Sequence, residues 1–270
     1  MITPFTLPSN PAIKIQLREE TVADAIEFAD VNEAHEEKLT TLFLNRMQEK
    51  AAFVDSLTWT AEDRRFGLFW YWQETSTDLM VPLSYQCDAC GEKHTFLSDF
   101  RAIVDAYQPI RGLAERDAEW NGERIIVHPL RGADVEALED LNLALDFARE
   151  KNGEGSGVYR KRLALVRVER LLRSFDASPD PAAATKQTMS DPKKIYLEKR
   201  NRVLALSVNR FEQLSVIVGE CLEDLSHGLE TEERGGRVCL IAQPHRCPNR
   251  EEVMTRVRVP FRCHDYVAGL

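Results

Sequence analysis

Leu79-Met80-Val81-Pro82-Leu83-Ser84-Tyr85-Gln86-Cys87-Asp88-Ala89-Cys90-Gly91-Glu92-Lys93-His94-Thr95-Phe96-Leu97 is the stretch from which the rest of the chain is read. Residues 79–86 and 94–97 carry the spacing of two strands, and Cys87–Gly91 is a tight turn between them. A C-x-x-C turn at a hairpin tip puts two sulfurs on one side, which is how small zinc sites begin. His94 follows at C-x-x-C-x3-H spacing and offers a third donor. A fourth must come from far along the chain, and Cys247, Cys263, His245 and His264 cluster near a second expected hairpin. Cys87, Cys90, His94 and Cys247 are the expected ligand set for one structural zinc. A free thiol pair or a disulfide is the plainer reading of the same cysteines. A thioredoxin-type redox role is disfavoured, because that motif sits where a strand runs into a helix.

The segment that carries the turn reads as strand Ile13–Leu17, helices over Thr21–Asp30, Ala34–Val54 and Thr60–Thr75, then the hairpin. A similar order follows: strand Arg124–Leu130, helices over Asp134–Lys151, Val158–Phe175 and Asn209–His227, then a hairpin from Arg237 to Cys263. Arg64-Arg65-Phe66 and Asn209-Arg210-Phe211 open corresponding helices, and Cys247-Pro248-Asn249-Arg250 stands where the C-x-x-C would, with one sulfur. The expected fold is α+β and mostly helical with short antiparallel hairpins. It divides into residues 1–115 and a degenerate second half, 116–270, with a helical insertion at 190–208. An internal duplication and a chance likeness of α+β fragments both account for the pattern.

Local signals place the elements. Pro4, Pro8 and Pro11 keep residues 3–12 out of helix. Ile13, Ile15 and Leu17 alternate with polar residues as in a half-buried strand. Thr21 with Asp24, and Thr60 with Asp63, have the spacing of N-terminal helix caps. Leu39, Leu42, Phe43 and Met47 form one apolar stripe, and Phe66–Trp72 is apolar all round, as in a buried helix. Residues 176–189 read as a loop, and Ser190-Asp191-Pro192 as the start of a helix.

Bulk properties bound the function. The 270 residues carry a net charge of −9, which argues against general attraction to nucleic acid or an anionic membrane. Six cysteines in this length do not make a disulfide-dense secreted framework, so a reducing cytoplasm is expected. The first residues lack a basic region and a long apolar run, so no signal peptide is expected, and no apolar stretch is long enough to span a bilayer. Basic residues concentrate at Arg160, Lys161, Arg162, Arg167, Arg170 and Arg173, and at Lys193, Lys194, Lys199, Arg200 and Arg202. A solvated helix face, or ion pairs to an acidic neighbouring subunit, accounts for them better than a nucleic-acid interface. G-x-G-x-x-G, Walker A and G-x-S-x-G are absent, and His35-Glu36-Glu37-Lys38-Leu39 lacks the second histidine of H-E-x-x-H. The expectation is a protein that is not an enzyme, with a dispersed active site as the third reading.

Phe5-Thr6-Leu7-Pro8-Ser9-Asn10, the strand Ile13–Leu17 and Arg18-Glu19-Glu20-Thr21-Val22-Ala23-Asp24-Ala25 resemble the opening of the T-even-type phage baseplate hub family. Members of that family begin with a Leu-Pro-Ser turn, one strand and a helix start of this kind, and often carry a Cys-rich hairpin downstream. The likeness covers roughly residues 5–100, with a fainter echo at Arg237–Tyr266. The single sulfur at Cys247-Pro248-Asn249-Arg250 departs from it and tells against a second, independent metal site. The resemblance implies a structural or assembly component of a contractile tail, located in the virion baseplate and in the host cytoplasm during assembly. Its implied partners are other hub proteins, with self-association also open. The alternative is a zinc-ribbon regulator that binds nucleic acid.

Overall fold

The computed structural model describes residues 2–29, 32, 34–177, 191–234 and 237–265. The fold is α+β, with helices and small antiparallel sheets. It forms two compact units. The first joins Met1–Ile110 to His227–Leu270, and the second, Arg111–Ser226, is inserted between them in sequence.

The chain opens with a hairpin rather than one strand. Pro8-Ser9 turns β1 (Phe5–Leu7) back on β2 (Asn10–Ile15), and Phe5 pairs with Ile15. Leu17, expected to end the strand, instead bridges to Gln48. Helix α1 (Val22–Ala29) begins at the Thr21–Asp24 pair. Helix α2 (Glu36–Met47) buries Leu39, Phe43, Leu44 and Met47 and stops seven residues short of the expected Val54. The Gln48 side chain bonds the Leu44 carbonyl behind it and both backbone groups of Val54 ahead, which turns the chain away from the helix axis. Helix α3 (Ala61–Thr75) starts at a reciprocal capping box between Thr60 and Asp63. Phe66, Leu68, Phe69 and Tyr71 of its aromatic run are buried, as expected of a core helix. β3 (Met80–Gln86) and β4 (Lys93–Asp99) form the Cys-bearing hairpin in unbroken register, and the short α4 (Arg101–Asp105) follows.

In the inserted unit, β5 (Arg116–Trp120) and β6 (Glu123–Val127) are joined by Asn121-Gly122, both at positive φ, the usual two-residue hairpin turn. Helices α5 (Gly132–Asn152) and α6 (Gly157–Arg173) pack together. Phe175, expected to end α6, belongs instead to β7 (Phe175–Ala177), which pairs with β6. β7 takes the first two residues of the expected loop 176–189; the rest lies outside the described residues. Asp191 caps α7 (Pro192–Leu204), with Pro192 in its first turn as expected, and α8 (Val208–Asp224) closes the unit. Ile125, Val127, Leu172, Phe175, Val203, Leu214 and Val218 form its core.

The returning segment forms a sheet of β8 (Thr231–Arg234), β9 (Arg237–Ile241) and β12 (Arg258–Pro260), with β9 central. Between β9 and β12 lies the hairpin of β10 (His245–Cys247) and β11 (Arg250–Thr255). Leu229, Leu240, Ala242, Val257 and Cys263 enter the same core as Phe5, Leu17, Phe43 and Phe66. This corrects the division at 115/116. The last strands complete the first unit, because that is where their apolar residues are buried. The repeat does not carry over to packing either. β2, which carries Ile13 and Ile15, is half of a two-stranded hairpin, whereas β6, on the segment matched to it, is the centre of a three-stranded sheet.

Asp24 organises the N-terminal region. Its carboxylate is buried and bound by Arg18 at 2.7 Å, Arg46 at 2.8 Å and the Thr21 hydroxyl at 2.6 Å. The Arg18 guanidinium, helped by Thr21 and Arg46, holds its carboxyl well below the usual carboxylate range. The unfolded group titrates near ~3.9, so the native charge stabilises the fold above about pH 4 and that contribution is lost as pH falls through the lower native value. Asp24→Ala is expected to cost about 2–4 kcal/mol at neutral pH, since it leaves two arginines without their shared partner. Urea unfolding at several pH values checks this. The gap between wild type and variant shrinks as the solution is made more acid.

Candidate metal centre

The β3–β4 hairpin is closed at its tip by the Cys87 amide on the Glu92 carbonyl, 2.9 Å, and the Gly91 amide on the Cys87 carbonyl, 2.8 Å. Inside that turn the Cys87 sulfur accepts the backbone N–H groups of Cys90 and Ala89, which pushes its thiol pKa down. The β10–β11 turn repeats the device. The Cys247 sulfur accepts the N–H groups of Asn249 and Arg250, two and three residues on. Cys247-Pro248-Asn249-Arg250 is therefore a knuckle of the same backbone design with one sulfur, and Arg250 occupies the position of the second. Burial pushes the Cys247 thiol up; a divalent cation would override this by displacing the proton.

Cys87, Cys90, His94 and Cys247 present four donor atoms that all lie within 4.8 Å of one another. Cys90 Sγ is 3.7 Å from Cys247 Sγ and 3.1 Å from His94 Nε2, and Cys247 Sγ is 3.7 Å from that nitrogen. A tetrahedron with metal–sulfur arms of ~2.3 Å and a metal–nitrogen arm of ~2.0 Å has edges of about 3.5–3.8 Å. The cluster is thus already near the shape a metal requires. It is too open for a bond between Cys90 and Cys247, where bonded sulfurs stand ~2.05 Å apart, and all three cysteines are unbridged. These four residues could hold a metal ion. Cys87, His94 and Cys247 are buried, and Cys90 is partly exposed. Asn249 Nδ2 donates to Glu92 at 2.9 Å and approaches Cys90 Sγ at 3.9 Å, so it braces one turn against the other.

The other sequence candidates lie elsewhere. His245 stacks flat on Phe96, with centroids 4.1 Å apart, and meets Tyr85 edge-on. It packs β10 onto the Cys-bearing hairpin instead of ligating. His264 pairs with Glu36 at 2.7 Å. Cys263 is buried against α2, and burial pushes its thiol up to about 12. Asn249 was not legible as part of the site, because a lone Asn after Pro has no motif.

Two further polar groupings bear on chemistry. Ser9, Thr60, Asp63 and His227 form a buried network in which Ser9 donates its amide and hydroxyl to Asp63 and His227 Nε2 lies 2.7 Å from the Thr60 hydroxyl. It caps α3 and ties the chain's return to it. In the inserted unit a cavity of about 310 Å³ is lined in part by His128, Arg173, Asp176 and Lys199. Asp176 is held well below the usual carboxylate range by His128, at 3.4 Å, and Lys199, at 3.0 Å. That shift is opposite to the one a general base poised near neutrality needs. The basic helices spend charge internally too: Arg173 pairs with Asp134, Arg200 with Glu169 and Arg202 with Glu123.

No protein-family model, curated protein or solved structure matches the chain.

The geometry separates ligands from bystanders. His94→Ala and Cys247→Ser are each expected to reduce metal per chain at least tenfold under dialysis. His264→Ala and Cys263→Ser leave the ratio unchanged. Elemental analysis of the purified variants checks both halves of the expectation.

Proposed function

We propose that the chain is a structural or assembly component of a contractile phage tail, acting in the central hub of the baseplate through contacts with other tail proteins. The observation that carries this reading is the opening block, Phe5–Asn10 with Arg18–Ala25. Its residues have specific structural work: Pro8-Ser9 makes the first turn, and Arg18, Thr21 and Asp24 make the buried clamp at the start of α1. The nucleic-acid alternative draws less support, because basic side chains of α6 and α7 are already paired with carboxylates.

The four-donor cluster fits zinc as its ion. Three sulfurs and one imidazole in a tetrahedral array suit zinc over the oxygen-seeking magnesium and calcium. A fourth protein donor leaves no open position, which marks a structural centre. The proposed zinc fastens two hairpins that bury little apolar surface of their own.

Two measurements test these readings separately. Mass spectrometry of purified tails or tail-assembly intermediates is expected to find the protein, and loss of its gene to stop assembly at the baseplate. Absence from both, with salt-sensitive DNA binding, overturns the tail reading in favour of the regulator. For the metal, one zinc per chain is expected. Free metal at a hundred times Kd stabilises a fold by ~2.7 kcal/mol, and each kcal/mol moves Tm by ~2–4 °C in domains of this size. A chelator, or Cys87→Ser, is therefore expected to lower melting of the first unit by roughly 5–10 °C.

A further inference from the structure

The four donors are not equivalent. Cys87, His94 and Cys247 are buried, whereas Cys90 is partly exposed. The sulfur of this partly exposed residue is also in van der Waals contact with that of buried Cys247 in the other hairpin, at 3.7 Å. That pair spans 157 positions of sequence and joins the two separate segments of the first unit.

We propose that Cys90 is a site of oxidation by hydrogen peroxide, and that Cys247 resolves it, so that a Cys90–Cys247 disulfide replaces the metal as the link between the two hairpins. The proposal rests on the reading that the four donors hold a metal. The Cys90 thiolate attacks one peroxide oxygen and the O–O bond breaks, giving a sulfenic acid and hydroxide. The Cys247 thiolate then attacks the Cys90 sulfur. The S–S bond forms, the S–O bond breaks, and a second hydroxide leaves. Two thiolates lose two electrons in all, and one peroxide gains them. With two of four donors consumed, the remaining Cys87 and His94 cannot retain the ion.

The geometry makes Cys247 the resolving sulfur. It touches Cys90 across the two turns, and closing 3.7 Å to a bonded distance of ~2.05 Å asks for a shift of less than ~2 Å at the tips of short hairpins. The consequence is a link that outlasts the metal. A reduced, metal-free chain has neither tie between residues 87–94 and 247, whereas the oxidised chain keeps a covalent one.

The test uses the full-length, zinc-loaded protein with one equivalent of hydrogen peroxide. Zinc release is followed with a colorimetric chelator, disulfides by non-reducing peptide mapping, and stability by thermal melting. The expected result is stoichiometric zinc release, a peptide pair joined through Cys90 and Cys247, and reversal of both by dithiothreitol with added zinc. The oxidised form is expected to melt above the reduced, chelator-treated form. A Cys87–Cys90 link, or Cys90 sulfinic acid with no crosslink, overturns the proposal. So does zinc-loaded protein that keeps its metal through the peroxide treatment, which leaves the metal reading intact. Protein that binds no zinc even when it is supplied overturns the metal reading and the exchange together, and metal analysis before peroxide is added tells these cases apart.

Discussion

The first unit depends on one constraint: its chain must leave at residue 110 and come back at 227 to finish the core it began. The return is marked by an antiparallel bridge in which Gln108 and Gly228 exchange both backbone hydrogen bonds, at 3.0 and 2.7 Å. Gly228 sits at φ +74, and a side chain there would meet the backbone of Glu62 as well as strain. Beyond the bridge, Leu229, Leu240 and Val257 enter the core beside Phe5 and Phe43. Closing a loop this long costs little more than closing one half its length, about 0.6 kcal/mol per doubling. The insertion is therefore tolerated thermodynamically, and its main cost is kinetic, since the last strands must find a core made from the other end of the chain.

Buried carboxylates secure the beginning of that core. Asp24 and Asp63 each stand three residues after a threonine and accept that threonine's amide at the start of a helix, but each does more. Asp24 gathers Arg18 before α1 and Arg46 at the end of α2. Asp63 holds the Ser9 turn of the first hairpin, and Thr60 beside it meets His227 from the returning segment. Charged acceptors in such positions are costly to bury and are stabilising only when fully bonded. Each one consequently fixes several segments at once.

The Cys/His cluster follows the same logic at the edge of the unit. Each hairpin tip is a turn whose amides point at a sulfur, and neither tip alone has enough donors for a metal. Three come from residues 87–94 and one from residue 247, so the cluster exists only after the C-terminal hairpin has docked. His245 on Phe96 and Asn249 on Glu92 supply that docking around the ligands. Zinc in this place would add to an interface that packing and hydrogen bonds already define.

Local signals carried much of the architecture. Thr60-Ala61-Glu62-Asp63 marks the start of α3, Asp191-Pro192 that of α7, and Cys87–Cys90 with His94 three of the four donors, because caps, Pro positions and turn spacing act over a few residues and are written in consecutive letters. Phe175 reads as helix from its neighbours, because its place in β7 depends on pairing with Val127, far away in sequence. The end of α2 carries no local signal, because a glutamine side chain, not a proline or glycine, turns the chain. By itself the sequence determined the α+β class, most helix starts and the local half of the metal cluster. Only the tertiary structure decided that residues 227–265 belong with the first unit, and that Cys247, the expected fourth donor, reaches the hairpin while His245 and His264 take other partners. Those outcomes rest on where distant apolar surface is buried and which side chains find another partner first, and no local pattern records either.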